Sequence, residues 1–165
     1  MVFIDGLRFV PMEIYLVQHG EAKTEEEDPQ RPLTEKGRQD VAKVAAQLAK
    51  QGVHIDRIVH SSKLRAKQTA EIFAAQLKPP AGLAEMPGLA PKDDIAIARD
   101  FLETAAGPVM IVGHLPHLDR LSSILLSGNE NAGIIAFRYA AVICMTKEQQ
   151  EQHWKIRWLL SPDLV

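Results

Sequence analysis

Three short segments of this 165-residue chain carry side chains suited to handling a phosphoryl group: QHGEA at residues 18–22, SSKLRAKQTA at residues 61–70 and GHLPHL at residues 113–118. A neutral imidazole is a nucleophile toward phosphorus, and a guanidinium with a second imidazole can neutralise the non-bridging oxygens as charge redistributes. His19, Arg65 and His114 supply one such group from each segment. Gly20 would let the backbone turn close to an anion, and a helix start at Ser61 and Ser62 would add N–H donors and a favourable dipole. Metal binding is the competing use of histidines, and His114 and His117 are spaced to pair on one helical turn. No carboxylate or cysteine keeps ligand spacing with His19, however, and an arginine in the pocket repels a divalent cation. The pattern points to a site for a dianion, with no metal.

Groups so far apart in sequence meet only if regular elements bring them together. Each segment follows a short apolar run: EIYLV at 13–17, DRIVH at 56–60 and VMIVG at 109–113 read as buried strands. Between them a helical period returns. Val41, Val44, Ala45 and Leu48 lie behind an N-capping Thr34 and ahead of a terminating Gly52. Ala66, Ala70, Phe73, Ala74 and Leu77 follow a cap at Ser61-Ser62 and end at Pro79-Pro80. Ile95, Ala98 and Leu102 mark a helix over about 92–105, and another fits 118–126; a brief strand fits 83–86. The tail reads as a hairpin, 141–145 against 154–160, whose second arm alternates imperfectly. Strands alternating with helices and closed by an antiparallel pair predict a three-layer α/β/α sandwich around a mostly parallel sheet. Ligands of such sheets lie beyond the carboxyl ends of the strands, where His19-Gly20 and Gly113-His114 both fall.

Composition narrows the function. Lys plus Arg number 19 against 21 Asp plus Glu, so no basic field suggests nucleic acid or an anionic membrane. Cys144 is the only cysteine, which excludes an intramolecular disulfide and suits a reducing cytoplasm; in a strand it reads as a small buried hydrophobe. No apolar run approaches the ~20 residues of a membrane-spanning helix. One domain over residues 12–165 is expected, with residues 1–11 as an N-terminal extension.

Taken in order, QHGEA after a strand, RPLTEKG at 31–37, SSKLRAKQTA and VGHLP give a chain that resembles the histidine phosphatase superfamily. Within it the chain is most similar to the small SixA-like phosphohistidine phosphatases, and the resemblance spans nearly all of residues 12–165. It implies a phosphoglycerate mutase-like fold. It also implies that His19 is the phosphorylated nucleophile, Arg65 a phosphate ligand, and His114 the second histidine that stabilises the transferred group. The family reaction passes through a phosphohistidine enzyme intermediate that water hydrolyses, without metal or cofactor. The short spacer between Arg65 and Gly113 leaves room for only a minimal cap, and an open pocket favours phosphate borne by a protein. The implied partners are a phosphorylated histidine-containing phosphotransfer domain or a phosphocarrier, with inorganic phosphate released; a small-molecule phosphomonoesterase is the alternative.

One position departs from the family pattern, which has arginine immediately before the nucleophilic histidine. This chain has Gln18. Glutamine can donate neutral hydrogen bonds to a phosphate oxygen but lacks the charge and the bidentate fork. Losing one preorganised donor commonly costs ~10²–10³ in rate, of which an amide recovers part. With one cation fewer, His19 is expected to protonate more readily, giving weaker activity and a more alkaline optimum. Arg31 is the candidate substitute cation, and the rival reading is a weakened phosphate- or phosphoprotein-binding module. Glu21 and Glu85 are the candidate general acids; Gln68 and Thr69 read simply as helix residues.

Overall fold

The computed structural model describes residues 11–165, so the expected extension at residues 1–11 lies outside the described residues except for Pro11. The elements run β1 (Met12–Gln18), α1 (Glu35–Lys50), β2 (Arg57–His60), α2 (Leu64–Leu77), β3 (Leu83–Glu85), α3 (Ile95–Thr104), β4 (Val109–Gly113), α4 (His117–Ser127), β5 (Val142–Lys147) and β6 (Lys155–Leu160), then a 3-10 turn at Pro162–Leu164. They form one six-stranded sheet in the order β3-β2-β4-β1-β5-β6. The first four strands are mutually parallel, and β5 and β6 close the sheet antiparallel. Among the described residues no helix is long and apolar enough to cross a membrane.

The apolar runs exist because both faces of the central strands are covered. Tyr15 and Val17 of β1 face the layer of α1 and α2, against Val41, Val44, Leu48, Ala66, Ala70 and Phe73. Ile14 and Leu16 face the opposite layer of α3 and α4, against Ile95, Leu102, Leu118 and Leu121. The expected three-layer α/β/α sandwich is the observed one. Residues 86–94, between β3 and α3, contain neither helix nor strand, so no helical cap stands there.

Three boundaries differ from the sequence reading. Helix α2 starts at Leu64 with Lys63 as N-cap, because the Ser61 hydroxyl turns to His114 instead of capping the helix. Helix α3 starts at Ile95, later than expected, because the Asp94 carboxylate accepts from Ala96 N–H at 2.9 Å and caps it. In the hairpin, a register shift between Cys144 and Met145 breaks the alternation, and Trp154 leaves the strand to bury against the α3/α4 layer.

The RPLTEKG segment acts as a clamp. Thr34 caps α1 by accepting from Gly37 N–H at 2.9 Å, while its own N–H donates to the Glu21 carbonyl at 2.9 Å and its hydroxyl to Glu21 Oε1 at 2.8 Å. The chain just after His19 is thereby pressed onto the first turn of α1. A Cβ at Gly37 would stand 2.1 Å from the Glu21 carbonyl oxygen. Gly37→Ala is therefore expected to destabilise the protein by about 1–3 kcal/mol, read as a lowered urea midpoint, and an unchanged midpoint would show that the clamp can slide.

Candidate active site

The sheet register brings the three segments level. Gln18 pairs with Gly113 and His60 with Val112, so β1, β4 and β2, which are adjacent, end together. His19 N–H donates to the Gly113 carbonyl at 3.1 Å, and Ser61 N–H to the Val112 carbonyl at 3.3 Å. His19, His114 and Ser61 thus emerge side by side, and Arg65 joins them from the first turn of α2; all four are buried.

His19 Nδ1 lies 2.7 Å from the Gly20 carbonyl. A carbonyl only accepts, so Nδ1 carries the proton and Nε2 presents a lone pair. Arg65 Nε–H donates to that Nε2 at 3.2 Å. The His114 ring stands 5.0 Å from the His19 ring, and Tyr139, half-exposed, stands 5.5 Å from it. His114 Nε2 is 2.5 Å from Ser61 Oγ, while its Nδ1 is buried with no partner. An imidazole with an outward lone pair, a guanidinium and a second imidazole are arranged to receive an electrophilic oxyanion.

The model of the histidine phosphatase superfamily (branch 1) matches residues 14–90. An uncharacterized protein of Picosynechococcus sp. is 37% identical over 145 residues, covering 79% of this chain and 87% of the relative. The chain belongs to the histidine phosphatase superfamily. The phosphohistidine phosphatase SixA of Escherichia coli is 28% identical over 156 residues, covering 92% of this chain and 94% of the relative. The structure of the protein histidine phosphatase SixA complexed with tungstate matches with a TM-score of 0.80 at 28% identity, covering 92% of this chain and 98% of that one. The chain is a phosphatase of phosphoglycerate mutase-like fold.

In this histidine phosphatase both imidazoles are neutral at physiological pH. Burial pushes His19 down to about 4; its bond to the Gly20 carbonyl opposes the shift, and the charges of Arg65 and Arg31 add to it. Burial likewise pushes His114 down to about 3, assisted by His19, Arg65, Lys63 and His117. Gln18, being neutral, adds no charge to the His19 shift, which burial leads. Desolvation is the leading cause, and Arg31 joins Arg65 in supplying the cationic field. Arg31 also lowers the pKa of Arg65 after burial does, which places its charge at the pocket.

Other expected residues land differently. Gln18 is buried beside His19, and its Oε1 has no partner. Gly20 does not offer its N–H to an anion, because that N–H donates to Thr69 Oγ1 at 3.0 Å; the missing side chain instead admits Val41 Cγ2, 2.8 Å from where a Cβ would lie. Neither candidate acid is brought to the histidines. Glu21 is held by the Thr34 hydroxyl and lines a groove with Lys36, Arg138 and Asp163, while Glu85 is exposed at the end of edge strand β3. His117 is fully buried in α4, and Ser61 occupies His114 Nε2, so the two do not pair. Among the described residues no three His, Cys, Asp or Glu side chains are grouped to hold a metal ion.

Four participants were not legible as such. Ser61 reads as a helix cap and Thr69 as a helix residue, yet Ser61 bonds His114 and Thr69 ties Gly20 to the Arg65 carbonyl, donating to it at 2.7 Å. Gln68 accepts from Leu33 N–H at 2.8 Å and anchors the segment that bears Arg31. Tyr139 precedes β5 in a stretch without periodicity, and only the sheet order reveals that it returns beside β1.

Depressed histidines tie stability to pH. Above about pH 6.5 the histidines are neutral in both the folded and unfolded chains. As pH falls from there toward about 4, the unfolded chain takes up protons that His19 and His114 refuse, so folding stability falls with pH. Urea unfolding across that window should show this loss, with a shallower slope in His19→Gln/His114→Gln; an equal slope would show that other groups carry the linkage.

Proposed function

We propose that this histidine phosphatase removes phosphate from phosphohistidine on protein partners, through a phosphohistidine formed on its own His19. The observation that carries the reading is that neither candidate acid is brought to His19 and His114: Glu21 is held by the Thr34 hydroxyl at 2.8 Å, and Glu85 is exposed at the end of β3. An alkyl phosphate expels an alkoxide and needs a proton donor in the transition state. A phosphoimidazole expels an imidazole nitrogen, a much better leaving group, so a pocket without a carboxylic acid suits a P–N bond. The name of the SixA relative, a phosphohistidine phosphatase, points the same way.

The chemistry follows from the tautomer. As the phosphoryl group enters, Arg65 exchanges His19 Nε2 for a phosphoryl oxygen, and the freed lone pair attacks phosphorus in line. The bond from phosphorus to the partner's imidazole nitrogen breaks; its electron pair stays on that nitrogen, which takes a proton from water. His19 keeps Nδ1–H on the Gly20 carbonyl, so the phosphorylated ring is cationic and itself a good leaving group. Water then attacks phosphorus, the P–Nε2 bond breaks, a proton returns to solvent and inorganic phosphate departs. Arg65 and Arg31 neutralise the oxygens, His114 stabilises the transferred group, and Gln18 contributes a neutral donor. Such a donor set suits an oxyanion better than a divalent cation. The absence of helix from residues 86–94 leaves access for a phosphotransfer domain or a phosphocarrier.

The test is phosphate release from a phosphohistidine phosphocarrier and from p-nitrophenyl phosphate, with chelator present, by wild type, His19→Ala and Gln18→Arg. Release from the phosphoprotein should require His19, survive chelator and exceed release from the aryl ester. Gln18→Arg should raise it by up to ~10²-fold without moving the acidic limb of the pH profile, because burial already holds His19 neutral. Faster turnover of small monoesters would reassign the enzyme as a phosphomonoesterase. Tight binding without turnover by wild type would make it a binding module.

A further inference from the structure

Ser61 and His114 form a buried pair whose hydrogen bonds can be counted. Ser61 Oγ has two partners among the described residues: it accepts from Lys63 N–H at 3.3 Å and lies 2.5 Å from His114 Nε2. His114 Nδ1 has none. Both residues are 1% exposed, so bulk solvent contributes little to the set. If Nε2 carried the imidazole proton, it would donate to Ser61, leaving the serine O–H without an acceptor and Nδ1 without a donor. If Nδ1 carries the proton, Ser61 donates to Nε2, every bonding capacity of that contact is used, and one group alone is unpaired, Nδ1–H. Buried polar groups left unpaired are costly, so the second arrangement prevails.

We propose that Ser61 is a positioning residue that holds His114 in the tautomer bearing its proton on Nδ1, making that unpaired N–H the donor the pocket offers to a phosphoryl oxygen. The role rests on the phosphoryl-transfer reading above. Its logic is that of a preorganised oxyanion donor: the N–H is desolvated before the ligand arrives, and a phosphoryl oxygen beside His19 is the acceptor it lacks. A neutral hydroxyl suits this purpose better than a carboxylate, which would draw a second proton onto the ring and place an anion beside the phosphate. The surrounding cations, Arg65 and Lys63, oppose that second proton. His114 thus works as a neutral donor, and its usefulness depends on which nitrogen is protonated.

Long-range 1H–15N correlation spectra of the ¹⁵N-labelled wild-type protein decide the tautomer without substrate or mutation. Expected for His114 is a protonated, pyrrole-type Nδ1 and an unprotonated, pyridine-type Nε2; a pyrrole-type Nε2 overturns the proposal. Ser61→Ala should lose that preference and lower kcat by roughly 10²-fold with KM little changed, while Ser61→Thr, which keeps the hydroxyl, should restore both the spectrum and kcat. A Ser61→Ala kcat close to wild type also overturns it. The kinetic arm uses whichever phosphoryl substrate wild type turns over fastest. Turnover of small monoesters alone would therefore defeat the phosphohistidine reading while leaving the tautomer and the variant ratios to judge this one.

Discussion

The hydrogen bond from His19 Nδ1 to the Gly20 carbonyl is the contact on which the rest of the site depends, because it decides which nitrogen is nucleophilic. A carbonyl can fix a tautomer only if it is itself fixed, and here the surrounding elements do so. Gly20 N–H is tied to Thr69 on α2, the space beside its Cα is filled by Val41 of α1, and the next residue, Glu21, is clamped by Thr34 and Gly37. Two helices of one layer thus converge on a single residue, Gly20. Thr69 also donates to the carbonyl of Arg65, so the side chain that ties down Gly20 belongs to the same stretch of α2 that carries Arg65. Packing and chemistry are coupled through that stretch.

Burial then sets the charge state. Two imidazoles close enough to share one oxyanion would repel each other if both were protonated, and desolvation opposes protonation of either. The fold therefore supplies a neutral imidazole at His19 by burial. A carboxylate would have had the opposite effect, favouring imidazolium and repelling a phosphoryl dianion. With Glu21 held on Thr34 and Glu85 exposed on the sheet edge, these two carboxylates stay away from the histidines.

Much of this was legible in sequence because the central strands are buried on both faces, so their apolar runs and the histidines at their ends stand out. EIYLV and VMIVG name their strands, and the parallel sheet they imply places His19 and His114 at one end. Less legible was anything that depends on which strands are neighbours. Ser61 lies beside His114 only because β2 and β4 are adjacent and in register, and Tyr139 lies beside His19 only because β5 returns along β1. Side chains with two possible uses were also ambiguous: Ser61 has the chemistry of a helix cap, Thr69 of a helix interior and Gly20 of an anion loop, and the tertiary contacts selected another use for each. The extent to which burial sets the ionisation of His19 was hidden for a related reason. Residue 18 is visible in sequence, whereas the burial that dominates the shift is a property of the whole fold.

Arg31 shows how the chain accommodates Gln18. Its backbone is held at φ +50°, in the left-handed region that a branched or long side chain rarely adopts and that costs of order 1–3 kcal/mol. The segment keeps that conformation with a bond from Arg31 N–H to the Asp28 carbonyl at 2.9 Å, one from its Nε to the Lys23 carbonyl at 3.2 Å, and the Gln68 anchor at Leu33. With Nε so occupied, the terminal nitrogens of the guanidinium remain for an anion, and their charge reaches both His19 and Arg65. An arginine delivered from a loop cannot reproduce the bidentate fork of one at the end of β1. It does bring a positive charge to bear on His19, which glutamine at position 18 does not. The charges that help burial hold His19 neutral therefore come from two separate elements, Arg65 on the first turn of α2 and Arg31 in the loop before α1, and none comes from the residue beside it on β1.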